Sequence, residues 1–382
     1  MEKIKRGILI AFGELFLKSE RVRNLFLQKL TSNISVFLKK AGVNFKIFPS
    51  RERIFIETGE IKKAEKIIKN VFGISWFADV IFLEGNLEEL LKFIEENHEK
   101  WVKKRQTFAI RLKKGNLKES SEEIIRKVAS KIERKVDLEK PNVELFLEAR
   151  KDGWFIYFKK KEGKGGLPVG SGGKALALIS GGIDSPVASY LIAKRGSENV
   201  WVHFHSFPLV SNSSIQKVKE LAQVFLRYQP KLKVYFIPFH KIQMKIKACV
   251  EPRYRILLYR RMMLRIAEKV AEKEGCDGIV TGESLAQVSS QTLKNLRIIE
   301  EVTKLPILRP LVGLDKQEII ELAKKIGTFE ISIKPQEDCC TLFTPKHASA
   351  AGNLELVRSF EKRLNIEKMI EEVLENVEIK SY

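Results

Sequence analysis

Residues 180–186 read SGGIDSP and stand between the apolar run Leu176–Ile179 and the helix-like run Val187–Ile192. A buried strand that stops at two glycines and hands over to a helix makes a turn whose backbone N–H groups point outward. With the helix N-terminus they hold an anion, and the natural anion is a phosphate. The other common phosphate loop, G-x-x-x-x-G-K-[ST], is absent: after Gly173-Lys174 comes Ala175, and its first glycine would fall on Pro168.

The remaining pattern resembles the SGGxDS loop of the PP-loop ATP pyrophosphatases, which split ATP into AMP and pyrophosphate while adenylating a carbonyl oxygen. The plain alternative is a Gly-Gly turn; strand, glycine pair, Asp184, Ser185 and helix occurring in order favour the loop.

A chain of 382 residues predicts two or three domains, and a 44% hydrophobic content without a bilayer-length apolar run predicts a soluble protein with no membrane partner. The opening segment lacks a cleavage site and continues into Glu14 and Lys18, so a cytoplasmic location is expected. Four cysteines in this length argue against a disulfide framework. The formal charge of +21 is spread over both halves, as suits an enzyme working on a folded polyanion. A Lys/Glu-rich surface of a heat-stable protein is the competing account, since 31% of residues are charged.

Periodicity divides the chain at Gly163–Gly173, a glycine-dense stretch read as a linker. Before it, strands at 8–12, 53–57, 74–83, 108–112, 143–149 and 154–158 alternate with helices at 21–40, 61–70, 87–103 and 121–132, which reads as two α+β units. Trp154–Phe158 reads as an amphipathic strand ahead of Lys159, Lys160 and Lys161. After the linker, strands at 175–179, 199–205, 232–239 and 278–282 alternate with helices near 186–195, 213–228 and 254–273. That pattern implies a parallel sheet with ligands at the strand C-terminal ends. A helix-like stretch, 353–377, and a tail, 378–382, close the chain.

The series Gly13-Glu14-Leu15 with Leu17-Lys18 and Arg23, Phe72-Gly73-Ile74, Thr107–Arg111, SGGIDSP, VHFHS (202–206), TGESLAQVSSQT (281–292) and EDCCTLFTP (337–345) resembles the ThiI-type tRNA 4-thiouridine synthetases nearly end to end. The resemblance implies an N-terminal ferredoxin-like domain (1–59), a THUMP RNA-binding domain (60–162), the linker (163–173) and a PP-loop ATP pyrophosphatase domain (174–382). It also implies ATP-dependent thiolation of uridine 8 of tRNA, with sulfur supply to the thiamine thiazole as a second role. Leu178, Ile179, Ser180, Gly181, Gly182, Asp184, Ser185, His203, Phe204, Arg260, Gly282 and Gln291 match nucleotide-binding positions. Arg260 and Arg261 both stand as candidates to neutralise developing charge, and His203 is equally explained as a buried, backbone-satisfied histidine. Asp184 is the expected Mg2+ ligand and a catalytic residue. Lys113, Lys114 and Lys159–Lys161 are the expected RNA contacts.

Cys339 matches the family's sulfur-handling cysteine, and adjacent Cys340 is a second candidate. Lys334, Lys346 and His347 favour a thiolate there, while Glu337 and Asp338 oppose it. Cys249 and Cys276 read as buried small residues. No C-x-x-C spacing supports a metal centre. Longer relatives continue into a rhodanese-like domain that this chain is not expected to carry. Sulfur is therefore expected from a cysteine desulfurase, a sulfur-carrier protein or free sulfide, and a homodimer is expected by resemblance. Two rivals stay open: another PP-loop tRNA-modifying ligase, and a non-catalytic, nucleotide-regulated RNA-binding module.

Overall fold

The computed structural model describes residues 3–13, 19–115, 117–335, 343 and 349–382, which form two compact units, Met1–Gly166 and Leu167–Tyr382. The glycine stretch is held on both sides of that division. Gly163 and Gly165 donate backbone N–H bonds to Ser75 and Ile74, while Leu167 donates to Lys194 and Gly170 and Gly172 to Gly196.

The first unit runs β1 (Ile4–Phe12), α1 (Glu20–Lys40), β2 (Lys46–Pro49), β3 (Ile54–Glu57), α2 (Ile61–Ile68), β4 (Ile74–Glu84), α3 (Leu87–Trp101), β5 (Phe108–Lys113), α4 (Ser121–Ala129), β6 (Val143–Arg150), β7 (Gly153–Tyr157) and β8 (Lys161–Glu162). The two α+β patterns of the sequence do not make two separate sheets. Their strands join in one eight-stranded sheet of order β2-β3-β1-β4-β7-β6-β5, with β8 also on β4. The long β4 makes the junction, pairing antiparallel with β1 through register Leu9↔Ala78 and with β7 through Phe82↔Phe155. Helix α3 starts at a capping box, Asn86 accepting from the Glu88 and Glu89 amides while Glu89 reaches back to Asn86. Its Leu90 and Ile94, with Ile124 and Val128 of α4, are spaced i, i+4 and pack on Leu145, Leu147, Trp154 and Ile156. Strand β7 is buried along its whole length rather than amphipathic, because Phe155 and Tyr157 pack into a second cluster with Phe55 and Val80.

The second unit runs β9 (Lys174–Leu178), α5 (Asp184–Lys194), β10 (Glu198–His205), α6 (Ser213–Phe225), β11 (Lys233–Pro238), α7 (His240–Cys249), α8 (Arg255–Glu274), β12 (Ile279–Val280), α9 (Leu293–Glu300), β13 (Ile307–Leu308), α10 (Lys316–Ile326), α11 (Phe329–Ser332), α12 (Leu354–Glu361), α13 (Ile366–Leu374) and β14 (Glu378–Ser381). The sheet order is β13-β12-β9-β10-β11-β14. All pairs are parallel except the edge, where the expected tail is instead an antiparallel strand on β11. The helix-like stretch 353–377 divides into α12 and α13, the second capped by the Asn365 side chain. No helix among the described residues is long and apolar enough to cross a membrane.

Candidate nucleotide-binding site

In the second unit the chain leaves β9 to build β10 and β11 on one side, then returns to build β12 and β13 on the other. The C-terminal ends of β9 and β12 therefore diverge into the crevice where open α/β sheets bind ligands. A cavity of about 530 Å³ occupies this place, lined by the turn after β9, the residues after β12 and one side of α8.

The turn is built from short side chains. Gly181 adopts φ +84°, a left-handed conformation that glycine takes without steric cost. The Ser185 hydroxyl accepts from the Ser180 amide at 3.1 Å and lies 3.3 Å from the Ser180 hydroxyl, which in turn accepts from the Gly182 amide at 3.3 Å. Ser185 thus braces the loop from beneath. Gly282 must be small for a different reason: a Cβ there would sit 2.7 Å from the Ser185 nitrogen and 2.8 Å from its Cα. The end of β12 is thereby brought against the first turn of α5, whose N-terminal amides face the cavity end.

Asp184 opens α5. Its carboxylate accepts from Lys316 Nζ at 2.6 Å and lies 3.5 Å from the Gln287 amide nitrogen. Lys316 is the first residue of α10, fixed by a capping box between Asp315 and Glu318. On the same wall Glu283, 8% exposed, accepts from Arg260 Nη1 and Arg309 Nε, each at 2.7 Å, and from the Thr281 hydroxyl at 2.9 Å. Arg309 also donates from Nη1 to Glu300 at 2.8 Å, while its buried Nη2 has no partner among the described residues. A buried guanidinium donor without an acceptor costs about 1–3 kcal/mol, so this edge is poised for a ligand oxygen. Leu178, Met263, Ile299 and Ile307 give the rest of the wall an apolar surface suited to a flat heterocycle.

Of the residues singled out from the sequence, Leu178, Ser180, Gly182, Asp184, Ser185, Arg260, Gly282 and Gln291 come together on this wall. Ile179, Gly181, His203 and Phe204 are not part of it. His203, 2% exposed, bonds Ile179 O through Nδ1 at 2.8 Å and Ser214 Oγ through Nε2 at 3.1 Å. Burial pushes its pKa down to about 4, so the neutral ring ties the end of β9 to α6. Arg261 does not share the role left open for it: it is buried away from the cavity on Glu361 and Glu301. Cys276 is buried as expected, but Cys249, the last residue of α7, is exposed. Cys339 and Cys340, with Glu337, Asp338, Lys346 and His347, lie outside the described residues, as do Glu14, Leu15, Leu17 and Lys18 of the first motif.

Sequence reasoning passed over Glu283, Arg309, Lys316 and Gln287. Glu283 and Gln287 lie inside the TGESLAQVSSQT motif without a role of their own in the sequence reading, and the two-residue β13 that precedes Arg309 is too short to show a period.

In the first unit, Lys113 pairs with Glu52 and Lys161 with Glu65, while Lys160 lies 5.0 Å from the Trp76 ring and 4.5 Å from that of Phe146. Lys159 is exposed and Lys114 half-buried. A groove of about 640 Å³ along β1 and β2 is lined by Lys3, Lys5, Arg6 and Lys46. Glu57 and Gly59 also line it, but it carries no SGGIDS turn, so the candidate nucleotide site is the cavity of the second unit.

Comparison with known proteins agrees with this geometry. Residues 7–78 match the ThiI ferredoxin-like domain, residues 84–159 the THUMP domain, and residues 170–366 the family described as thiamine biosynthesis protein (ThiI). A probable tRNA sulfurtransferase of Acetivibrio thermocellus is 40% identical over 98% of both chains, and one of a Thermoanaerobacter species is 40% identical over 97% of this chain and 98% of its own. Among solved structures, a 4-thiouridine synthetase–RNA complex with bound ATP is 34% identical, covers 99% of each chain and superposes with a TM-score of 0.89. With its glycine turn, its strand-end cavity and this end-to-end likeness, the chain belongs to the ThiI family.

Proposed function

We propose that this chain is a tRNA uracil 4-sulfurtransferase, replacing O4 of uridine 8 by sulfur at the expense of ATP. The observation that carries the reading is the SGGIDS turn seated at the sheet's switch point, in a family whose relatives are named tRNA sulfurtransferases. The bound ATP of the related synthetase structure supports ATP as the ligand of the cavity.

Carbonyl oxygen is a poor leaving group, so it is first converted into a good one. O4 of the uracil attacks the α-phosphorus of ATP, the bond to the β-phosphate oxygen breaks, and pyrophosphate departs toward the Gly182 amide and the start of α5, in the turn that Gly181 shapes. Arg260 and Arg309 neutralise charge developing at the α-phosphate, held in place by Glu283. Asp184, together with phosphate oxygens of the nucleotide, would hold a Mg2+ ion, which would shield the phosphate charge; in the structure the Asp184 carboxylate is paired with Lys316. Among the described residues no group of three or more His, Cys, Asp or Glu is placed to hold a metal ion, so the nucleotide would supply the remaining ligands.

Sulfur then attacks C4, the C4–O bond breaks, and AMP leaves. With sulfide as donor the step is a simple displacement. With a persulfide on Cys339, the base is left in a disulfide with that cysteine, and a second thiol, Cys340 or an external dithiol, releases 4-thiouridine. An external dithiol restores the cysteines. A cysteine desulfurase or sulfur-carrier protein is the donor, a homodimer the working form, and the cytoplasm the place of reaction. The ferredoxin-like and THUMP parts of the first unit, matched over residues 7–78 and 84–159, hold tRNA, with Lys113, Lys114 and Lys159–Lys161 contributing, and the PP-loop domain follows them in the chain. The description of the matched family supports the thiamine thiazole as a second acceptor for the same sulfur.

The test is mass analysis of tRNA nucleosides after incubation with protein, ATP and sulfide. 4-Thiouridine at one position, formed with stoichiometric AMP, is expected. Asp184→Ala should lower pyrophosphate release by about 10²-fold or more while leaving tRNA binding intact. Lysidine, 2-thiouridine or no altered nucleoside would overturn the reading.

A further inference from the structure

Helix α6 carries a lysine in a place where a hydrophobic residue would be cheaper. Lys217 is 3% exposed and stands among Ile215, Val218, Leu221 and Ala222 on the buried side of the helix. Desolvating an ammonium costs several kcal/mol unless strong acceptors meet it. Here they are backbone carbonyls: Nζ donates to Ser332 O at 3.1 Å and to Lys334 O.

Two further tethers hold the same two residues. Ser332 donates its hydroxyl to the carbonyl of Gly182, inside the glycine turn, at 3.2 Å. Lys334 Nζ pairs with Glu220, one turn along α6 from Lys217. Residues 332–334 are thus fastened to the phosphate loop on one side and to α6 on the other. Cys339 follows Lys334 by five residues in the sequence.

We propose that Lys217 is a positioning residue for sulfur transfer, holding the backbone of residues 332–334 beside the phosphate loop so that the chain leading to Cys339 starts from a fixed point. The inference rests on the reading of Cys339 as the sulfur carrier. Its consequence is a coupling of the two half-reactions. If the carrier is not delivered, the adenylated base is attacked at C4 by water; uridine is regenerated and AMP leaves, so ATP is consumed without thiolation.

The test uses the full chain with unmodified tRNA, ATP, cysteine and a cysteine desulfurase, and reads the ratio of 4-thiouridine to AMP. Wild type should give a ratio near unity, one AMP leaving for each sulfur inserted. Lys217→Met should lower the ratio by about fivefold or more, with pyrophosphate release per folded molecule changed less than about twofold. Glu220→Ala, a surface change that removes the second tether on α6, should lower it by about twofold, and carries the test if Lys217→Met does not fold. Excess free sulfide, which needs no carrier, should restore the ratio in both. A ratio equal to wild type in the folded variants, with both products falling together, would reduce Lys217 to a fold-supporting residue and overturn the proposal, as would failure of sulfide to restore it. Failure of the functional reading itself is separate: wild type would then form no 4-thiouridine.

Discussion

Two buried carboxylates of the second unit, Glu283 and Glu361, each gather two arginines, yet they differ in what they do. Glu361 accepts from Arg261 at 2.8 and 2.7 Å and from Arg265 at 2.6 and 3.1 Å. Arg261 spends its remaining nitrogen on Ile298 O and Glu301, and it is 2% exposed. Every nitrogen of that guanidinium is used inside the protein. Around Glu283 the count is incomplete: Arg309 keeps an unpartnered Nη2 among the described residues, and Arg260 and Arg309 both line the cavity. A closed ion network joins helices, whereas an open one presents charge to a ligand. Arg260 and Arg261 are neighbours on α8, and the turn of about 100° per residue is all that sends them to different tasks.

The sharpest separation comes from breaking the closed network. Arg261→Met leaves Glu361 and Glu301 short of a partner, and should cost about 3–5 kcal/mol of stability with activity per folded molecule retained. Denaturant melts read beside pyrophosphate release would check this, and an intact melt with lost activity would erase the distinction. Next in size, Glu283→Gln keeps the shape of the open network but removes the charge that orients two guanidiniums. Adenylation should fall by about 10–100-fold, mostly in the rate at saturating ATP, with a small change in melting temperature. If stability fell and the rate did not, Glu283 would belong with Glu361.

Acid offers a third, smaller comparison. Burial pushes the Glu361 pKa up, but hydrogen bonds from Arg261 and Arg265 more than offset this and hold it below the ordinary carboxylate range. A depressed folded pKa gives stability that is present above the ordinary value and is lost as the pH falls through the folded one. The melting temperature of Glu361→Gln should therefore lie well below wild type at neutral pH, and the gap should narrow as pH drops below about 4. A gap independent of pH would mean that packing, rather than charge, holds this region. The smallest effect is expected at the rim: Arg358 pairs with Glu301 and Glu355 at the surface, and Arg358→Ala should leave melting temperature and rate within measurement error.

Much of the nucleotide site was legible in the chain. Gly181, Gly182, Asp184 and Ser185 sit in a contiguous motif whose conformation is local, so strand, turn and helix N-terminus follow from neighbouring residues. Gly282 and Gln291 came with the second strand-end motif. Glu283 and Arg309 form one unit across 26 positions, and Lys316 meets Asp184 across 132, contacts that no local period encodes. Strands β2 and β13 escaped notice because four residues, none of them buried, and two residues cannot display alternation. Burial also decided His203: its residue type permitted a ligand contact, and its two hydrogen bonds at the end of β9 gave it a bracing role instead.

The chain by itself determined most of the local elements, the glycine turn after β9 and the basic charge excess, because these depend on neighbouring residues or on sums over all residues. Tertiary structure decided that the strands of the first half merge through β4 into one sheet, which of Arg260 and Arg261 faces the cavity, and that Lys217 reaches residues 332–334. Those outcomes depend on burial and on pairings between distant segments, which exist only once the sheet order has brought the segments together.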